Sequence, residues 1–238
     1  VGMPYEKAAA LILHGFFDEI PQEKMEALCT QAYASFADPR RVPVSKIEPG
    51  LFAMELYHGP TLAFKDVALQ LLPLLMAYSA KATGQKEKSL ILVATSGDTG
   101  KAALEGFADK PDTAIVVCYP NNGVSPAQRL QMVTQKGGNV CVTAVEGNFD
   151  DCQNGVKRLM GDADFHEMVH KNGYTITSAN SINFGRLVPQ IAYYFTSYAQ
   201  LLEQGAIALG EAVDFIVPTG NFGDILAGWY AKKMGLPV

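Results

Sequence analysis

The chain has 238 residues, of which 48% are hydrophobic and 18% charged, with a formal net charge of −5 and a pI near 5.4. This composition is typical of a globular protein with a sizeable core. The acidic balance argues against nucleic acid as a partner, because nucleic-acid-binding proteins usually present a basic face. No apolar run in the sequence reaches the roughly 18 residues of a membrane span, so we expect no membrane partner either.

The cysteines favour a reducing, cytoplasmic setting. There are four, and none forms a C-x-x-C pair or a Cys/His cluster with the spacing of a zinc site: Cys29, Cys118, Cys141 and Cys152. Cysteines in apolar runs, such as Cys118 and Cys141, behave as small hydrophobic residues. We therefore expect neither disulfides nor a metal.

Short apolar runs alternate with helical patterns along the chain. Helical patterns begin the sequence at 5–18 and 22–37, a loop with three prolines follows, and a further helical pattern runs over 64–81. Strands are predicted at 90–95, 113–120, 139–145, 174–179 and 214–220. Continuous apolar strands separated by helices indicate an α/β protein with a parallel sheet covered on both faces. Ligands of such folds bind where the strands end.

Three polar loops follow predicted strands. The first, 96–100, has hydroxyls and glycines at a helix start, which suits an anion, although an ordinary capped turn explains it equally well. It is neither a Walker loop, since Thr95 stands where glycine is needed, nor a nucleophile elbow around Ser96. The second, 219–224, has two glycines that suit one phosphate. It lacks G-x-G-x-x-G, and a plain glycine-rich turn is its alternative.

The third polar loop, 178–186, contains Arg186. An arginine is well suited to a planar or tetrahedral anion. The alternative is a polar turn that caps a helix beginning near Gly185.

Lys65 stands in a mostly apolar stretch, "HGPTLAFKD", in the first turn of the helix predicted over 64–81. A helix N-terminus and partial burial both favour a neutral, nucleophilic amine, as an imine-forming lysine needs. The common alternative is a solvated lysine whose stem lies along apolar surface. Pro73 should kink this helix. An imine-forming lysine, one phosphate nest and two anion-binding loops together fit pyridoxal 5'-phosphate, which carries an aldehyde and a single phosphate.

Four motifs, in this order, resemble threonine synthase within the fold-type II pyridoxal-phosphate enzymes: HGPTLAFKD (58–66), ATSGDTG (94–100), SANSIN (178–183) with Arg186, and GNFGD (220–224). The resemblance covers essentially the whole chain and implies a tryptophan synthase β-like fold with parallel or mixed sheets covered by helices. It implies a large domain formed by 1–74 and 185–238, and a small α/β domain at 75–184. Family members are longer at both ends, so we expect a truncated chain with an incomplete large domain.

The resemblance also implies site residues and a reaction. Lys65 would be catalytic, forming the imine with the cofactor and moving protons. The other cofactor-binding residues would be Asp98, near the ring oxygen, and the phosphate loop Gly220, Asn221, Phe222, Gly223 and Asp224. The substrate-binding residues would be Ser96, Gly97, Thr99, Asn180, Ser181 and Arg186. The reaction would convert O-phospho-L-homoserine and water to L-threonine and phosphate, in a monomer or a homodimer.

Three alternatives stay open. One is a different fold-type II enzyme, such as a serine/threonine dehydratase or a cysteine synthase relative, and another is a non-catalytic threonine synthase-like protein. The third is a zinc protease, because His166, Glu167 and His170 match H-E-x-x-H. A zinc protease needs a third protein ligand, and Ile176 stands where the longer motif has its third histidine.

Overall fold

The computed structural model describes residues 1–218 and 222–238. In chain order the elements are α1 (Tyr5–His14), α2 (Gln22–Tyr33), β1 (Val44–Glu48), β2 (Leu51–Met54), α3 (Asp66–Leu69), α4 (Leu72–Thr83), β3 (Lys88–Ala94), α5 (Asp98–Phe107), β4 (Thr113–Pro120), α6 (Pro126–Val133), β5 (Val140–Val145), α7 (Phe149–Gly161), α8 (Ala163–Lys171), β6 (Tyr174–Ser178), α9 (Phe184–Glu203) and α10 (Gly223–Lys233). They form two compact units. The first unit is Val1–Leu71 with Phe184–Val238, and the second unit is Leu72–Asn183.

The first unit is built around α9, a helix of 20 residues that is buried on most of its surface. Helices α1, α3 and α10 all pack against it. A helix that is apolar on several faces needs such a surround, because each face must be removed from water. The starts of α9 and α10, and the short helix that follows Lys65, are thereby held on one scaffold.

The antiparallel hairpin of β1 and β2 also belongs to the first unit. Two glutamines hydrogen-bond its backbone, one in α9 and one directly after that helix. Gln200 accepts from Val44 N at 3.0 Å, and Gln204 donates to Val44 O at 2.9 Å. The sequence predicted only a proline-rich loop here. The prediction was wrong because the groups that satisfy this strand lie about 160 residues away along the chain.

The long helix predicted over 64–81 is wrong as well. The chain forms the single turn α3, breaks, and resumes as α4. Pro73 is the second residue of α4, where its missing N–H costs nothing, whereas a helix running through 69–73 would place its ring against the Leu69 carbonyl. Lys65 consequently precedes a one-turn helix, and the helix-dipole argument for its amine loses most of its force.

The second unit contains a four-stranded, all-parallel sheet in the order β5-β4-β3-β6. On one face, Leu92 and Ala94 pack against Cys152 and Val156 of α7. On the other, Gly100 of α5 approaches Val117 so closely that a Cβ would lie 2.9 Å from its Cγ1. Helices therefore cover both faces, and the predicted α/β class with a parallel sheet is confirmed.

The strand predicted at 214–220 is not formed in its described part: residues 214–218 belong to no strand. A strand requires a hydrogen-bonded neighbour along its length. The residue just before this segment, Val213, donates its N–H to Pro237 O at 3.1 Å. Among the helices of residues 1–218 and 222–238, none is long and apolar enough to cross a membrane.

Candidate functional site

The two polar loops of the second unit lie at the point where the order of its sheet reverses. From β3 the chain proceeds through α5 to β4 on one side, whereas β6 lies on the other side of β3. The carboxyl ends of β3 and β6 are therefore neighbours, and a ligand crevice of an open parallel sheet forms at such a reversal. The loops that emerge there are 95–97 and 179–183.

Asn180 ties these two loops together. Its Nδ2 donates to Ala94 O at 2.8 Å, and its Oδ1 accepts from Ala94 N at 3.1 Å and from Ser178 Oγ at 3.2 Å. The side-chain amide thus extends the β3–β6 ladder by one residue. Asn180 was predicted to bind substrate; its described bonds make it the connection that brings the loops into register.

The loop after β3 is held in shape by a threonine hydroxyl. Thr95 Oγ1 accepts from Gly97 N at 3.0 Å and from Gly100 N at 2.9 Å, and it donates to Gly97 O at 3.1 Å. Gly97 has φ 143, a conformation that favours glycine, and a Cβ there would lie 2.4 Å from the Gln128 side chain. Of the predicted residues in this unit, Ser96, Asp98 and Ser181 are exposed, and Thr99 is half-buried.

Gln128 also contacts Asp98, a role that was not predicted from the sequence. Its Nε2 donates to Asp98 Oδ1 at 2.8 Å. The same side chain accepts from Ser125 N at 3.1 Å and thereby completes the capping box of α6. A Ser-x-x-Gln capping box can be recognised in a sequence, but the contact with the start of α5 depends on the packing of two helices.

Lys65 lies in the first unit, half-buried, immediately before α3, with its Nζ 4.7 Å from the centroid of the Phe64 ring. The next residue, Asp66, is fully buried and was not predicted as a functional residue. It accepts hydrogen bonds from Thr61 and Gln70. Burial raises the pKa of the Asp66 carboxyl, against the effect of these bonds.

Arg186 is buried in the first turn of α9. Burial lowers the pKa of its guanidinium to about 10, so the group remains charged at neutral pH. The planar head of an arginine offers several N–H donors that match a tetrahedral or planar anion. A charged Arg186 therefore suits the binding of a phosphate or carboxylate.

The predicted phosphate loop is described in part. Gly220 and Asn221 lie outside the described residues. Phe222 is exposed, and Gly223 begins α10. The Asp224 carboxylate is buried and accepts from Tyr193 Oη at 2.5 Å and from Tyr194 Oη at 2.8 Å.

The tyrosine pair keeps the carboxylate of Asp224 occupied. Burial, and next to it the Asp224 charge, raises the pKa of Tyr193 well above its usual range, so the phenol remains a donor. Because its carboxylate bonds two tyrosines of α9, Asp224 offers its backbone N–H, rather than its side chain, at the start of α10. The N–H groups of that first turn suit an anion.

The H-E-x-x-H residues lie on α8 and interact with other protein groups. His166 Nε2 lies 2.9 Å from Met160 O, Glu167 forms an ion pair with Lys171 at 2.5 Å, and His170 Nε2 lies 3.3 Å from Glu87 Oε1. Within residues 1–218 and 222–238 there is no group of three His, Cys, Asp or Glu side chains that could hold a metal ion.

Comparison with protein families decides the cofactor class. A family described as "Pyridoxal-phosphate dependent enzyme" matches residues 41–238. This chain belongs to that family. Its cofactor is pyridoxal phosphate, as the sequence predicted.

Within the pyridoxal-phosphate dependent family, the chain is similar to threonine synthases and to threonine synthase-like proteins. Threonine synthase of Schizosaccharomyces pombe is 44% identical, over 92% of this chain and 42% of that protein. Human threonine synthase-like 1 is 41% identical, over 100% of this chain and 33% of that protein. The crystal structure of PLP-bound threonine synthase from Brucella melitensis matches with a TM-score of 0.86 at 44% identity, over 100% of this chain and 49% of that one.

The predicted fold-type II architecture and the resemblance to threonine synthase are both confirmed. The chain spans half or less of the length of each of these three relatives.

The described residues fit the cofactor of this family. Lys65 has a half-buried amine, the kind of group that an imine with an aldehyde requires. The first turn of α10, an 11-residue helix, has backbone N–H groups of the kind that bind phosphate, and the carboxylate of Asp224 bonds the tyrosine pair instead. The loops at the ends of β3 and β6 offer hydroxyl groups and backbone donors for a polar substrate.

Proposed function

We propose that this chain carries catalytic residues of a threonine synthase, a carbon–oxygen lyase that converts O-phospho-L-homoserine and water to L-threonine and phosphate. The observation that carries the proposal is the meeting of the 94–100 and 178–183 motifs where the sheet order reverses, joined by the bonds between Asn180 and Ala94. The likeness to the threonine synthases of S. pombe and B. melitensis supports it.

Lys65 is the residue that holds the cofactor and moves protons. When bound, pyridoxal phosphate withdraws electrons from the substrate Cα. The Lys65 amine takes the proton from Cα and later returns a proton to the carbon skeleton. A proton is also lost from Cβ, and the electron pair that it leaves expels phosphate from Cγ as the C–O bond breaks. Cγ then takes up a proton, and water adds its hydroxyl at Cβ and releases its other proton. The cofactor phosphate would be held by Gly220, Asn221, Phe222, Gly223 and Asp224, and the cofactor's ring oxygen would interact with Asp98.

We assign Arg186, in the first unit, to the substrate phosphate, and we assign polar residues of the two loops, in the second unit, to the substrate as well. The charged, buried guanidinium supplies the attraction, and hydroxyls and backbone N–H groups supply direction. The residues that we assign to the substrate beside Arg186 are Ser96, Gly97, Thr99, Asn180 and Ser181. Of these, Asn180 acts chiefly by holding the loops in register, since its amide bonds to Ala94.

The two compact units correspond in this proposal to the two domains of the family. The first unit belongs to the large domain and carries Lys65, Arg186 and the start of α10. The second unit is the small α/β domain and carries the loops at 94–100 and 178–183. The four cysteines are free thiols, which favours a reducing compartment such as the cytoplasm.

Turnover separates this function from its rivals. The chain, supplied with pyridoxal phosphate, is given O-phospho-L-homoserine, and phosphate and threonine are quantified together. Equal amounts of both products support the proposal. Keto-acid formation from serine or threonine, without threonine synthesis, would assign a dehydratase instead.

A second candidate is a threonine synthase-like protein that binds the cofactor without turning over this substrate. The identity of 41% to human threonine synthase-like 1, across 100% of this chain, supports this second candidate. Cofactor attachment at Lys65 with no release of phosphate from O-phospho-L-homoserine would select it.

A further inference from the structure

The loop before Lys65 is wrapped around the carboxylate of the residue that follows the lysine. Thr61 N donates to Asp66 Oδ2 at 2.8 Å, and Thr61 Oγ1 donates to Asp66 Oδ1 at 2.8 Å. Gln70 Nε2, one turn further on, donates to Oδ1 at 3.2 Å. Asp66 is fully buried, and each of these described hydrogen bonds comes from a neutral donor.

The same loop contains a close approach and an unfavourable backbone conformation. A Cβ on Gly59 would lie 2.5 Å from the Asp66 side chain, so the backbone passes directly over the carboxylate. Leu62 has φ 61, in the left-handed region, and the residue is 70% exposed. A left-handed leucine persists only where its surroundings determine the backbone, and here the paired Thr61 is its immediate neighbour.

We propose that Asp66 is a positioning residue for Lys65, acting through its two hydrogen bonds with Thr61. The bonds close the chain from 61 to 66 into a ring that contains Lys65. The direction in which the lysine leaves the backbone is then set by groups on both sides of it. The inference rests on the proposed function in that Lys65 is the residue that must be oriented.

A buried carboxylate at this position lowers the stability of the fold unless it serves another purpose. Burying an ionised group costs free energy that neutral donors repay only in part, and an apolar residue would pack at lower cost. A network that is fully satisfied fixes one geometry, which an apolar contact does not. Fixing the geometry of Lys65 matters because small misplacements of a reacting group cost large factors in rate.

The test uses the full chain and pyridoxal, which has the aldehyde but no phosphate and so does not depend on residues 219–224. Pyridoxal adducts are reduced with borohydride, and the labelling of Lys65 is expressed as a ratio to that of exposed Lys46 on β1. The variants are Thr61→Val, which lacks the hydroxyl, and Thr61→Ser, which keeps it. Thr30→Val is a matched change in α2, where the described bond of the hydroxyl is a local one to Glu26 O at 2.9 Å. Hydrogen exchange of the 59–65 peptide is followed in each.

We expect Thr61→Val to lower the Lys65 to Lys46 ratio about tenfold and to speed exchange of the loop. Thr61→Ser and Thr30→Val should match the unsubstituted chain. Wild-type labelling in Thr61→Val despite faster loop exchange would overturn the inference, as would an equal loss in Thr61→Ser. If Thr61→Val is unfolded by circular dichroism, Asp66→Asn decides, with a ratio below wild type expected and an unchanged ratio contradictory.

The proposed function and this inference fail on different results. A wild-type chain that labels selectively at Lys65 but makes no threonine contradicts the function alone. If the wild-type chain labels Lys65 and Lys46 equally, the inference is contradicted, because Lys65 would then not be oriented for reaction with the aldehyde.

Discussion

Arg186 combines burial with a charge that survives at neutral pH, since its pKa falls only to about 10. Lysine keeps the charge but lacks the planar, multi-donor head that matches phosphate. We therefore expect Arg186→Lys to raise KM for O-phospho-L-homoserine by roughly 10- to 100-fold. Arg40→Lys is the control, because Arg40 pairs with Asp38 on the surface of the same unit. An unchanged KM in Arg186→Lys would remove this arginine from the substrate site.

Asp66 makes stability depend on pH. Burial raises the pKa of its carboxyl above the unfolded value of 3.8, against the lowering by Thr61 and Gln70. The folded state then binds the proton more tightly, so the contribution of this group is most favourable below that unfolded value and declines as pH rises through the folded pKa. The free energy of unfolding of the wild type, relative to Asp66→Asn, should therefore fall as pH rises above about 4. Urea unfolding at several pH values checks this, and a rising difference would contradict it.

At the level of elements, two capping boxes allow the role of Gln128 to be isolated. Gln128 and Asp151 occupy the same N3 position in α6 and α7, but only Gln128 has a described bond to Asp98. Gln128→Ala and Asp151→Ala should each cost about 1 kcal/mol of stability. Only Gln128→Ala should also change the absorbance spectrum of the bound cofactor, because Asp98 loses a partner. Equal spectral changes in both variants would contradict the linkage.

The elements that the sequence predicted best are the strands of the second unit. The strand at 113–120 has its predicted bounds, and those near 90, 140 and 174 begin or end within two residues of them. Continuous apolar, β-branched runs ended by polar loops specify such strands locally. The hairpin of β1 and β2 was missed because Pro43 precedes it and Pro49 lies between its strands. The glutamines that bond Val44, Gln200 and Gln204, also lie far along the chain.

In the candidate site, too, features set by neighbouring residues could be predicted, whereas those set by residues far apart in the sequence or by the folding of a loop could not. The loops at 94–100 and 178–183 could be predicted because each lies directly after a strand, and parallel strands end at one edge. The tie between Asn180 and Ala94 spans 86 residues, and the burial of Asp66 arises from the folding of its own loop around it. Neither the Asn180–Ala94 bonds nor the burial of Asp66 can be read from periodicity or composition. The roles assigned to individual site residues stay predictions.

For the molecule as a whole, the central claim is that Lys65 anchors pyridoxal phosphate. The most direct measurement is to incubate the chain with pyridoxal phosphate, reduce with borohydride, digest and locate the modified lysine by mass spectrometry. We predict one modified peptide containing Lys65, absent in Lys65→Ala and retained in Lys46→Ala. Modification that is scattered over other lysines, or that survives Lys65→Ala, would contradict the assignment of the cofactor site.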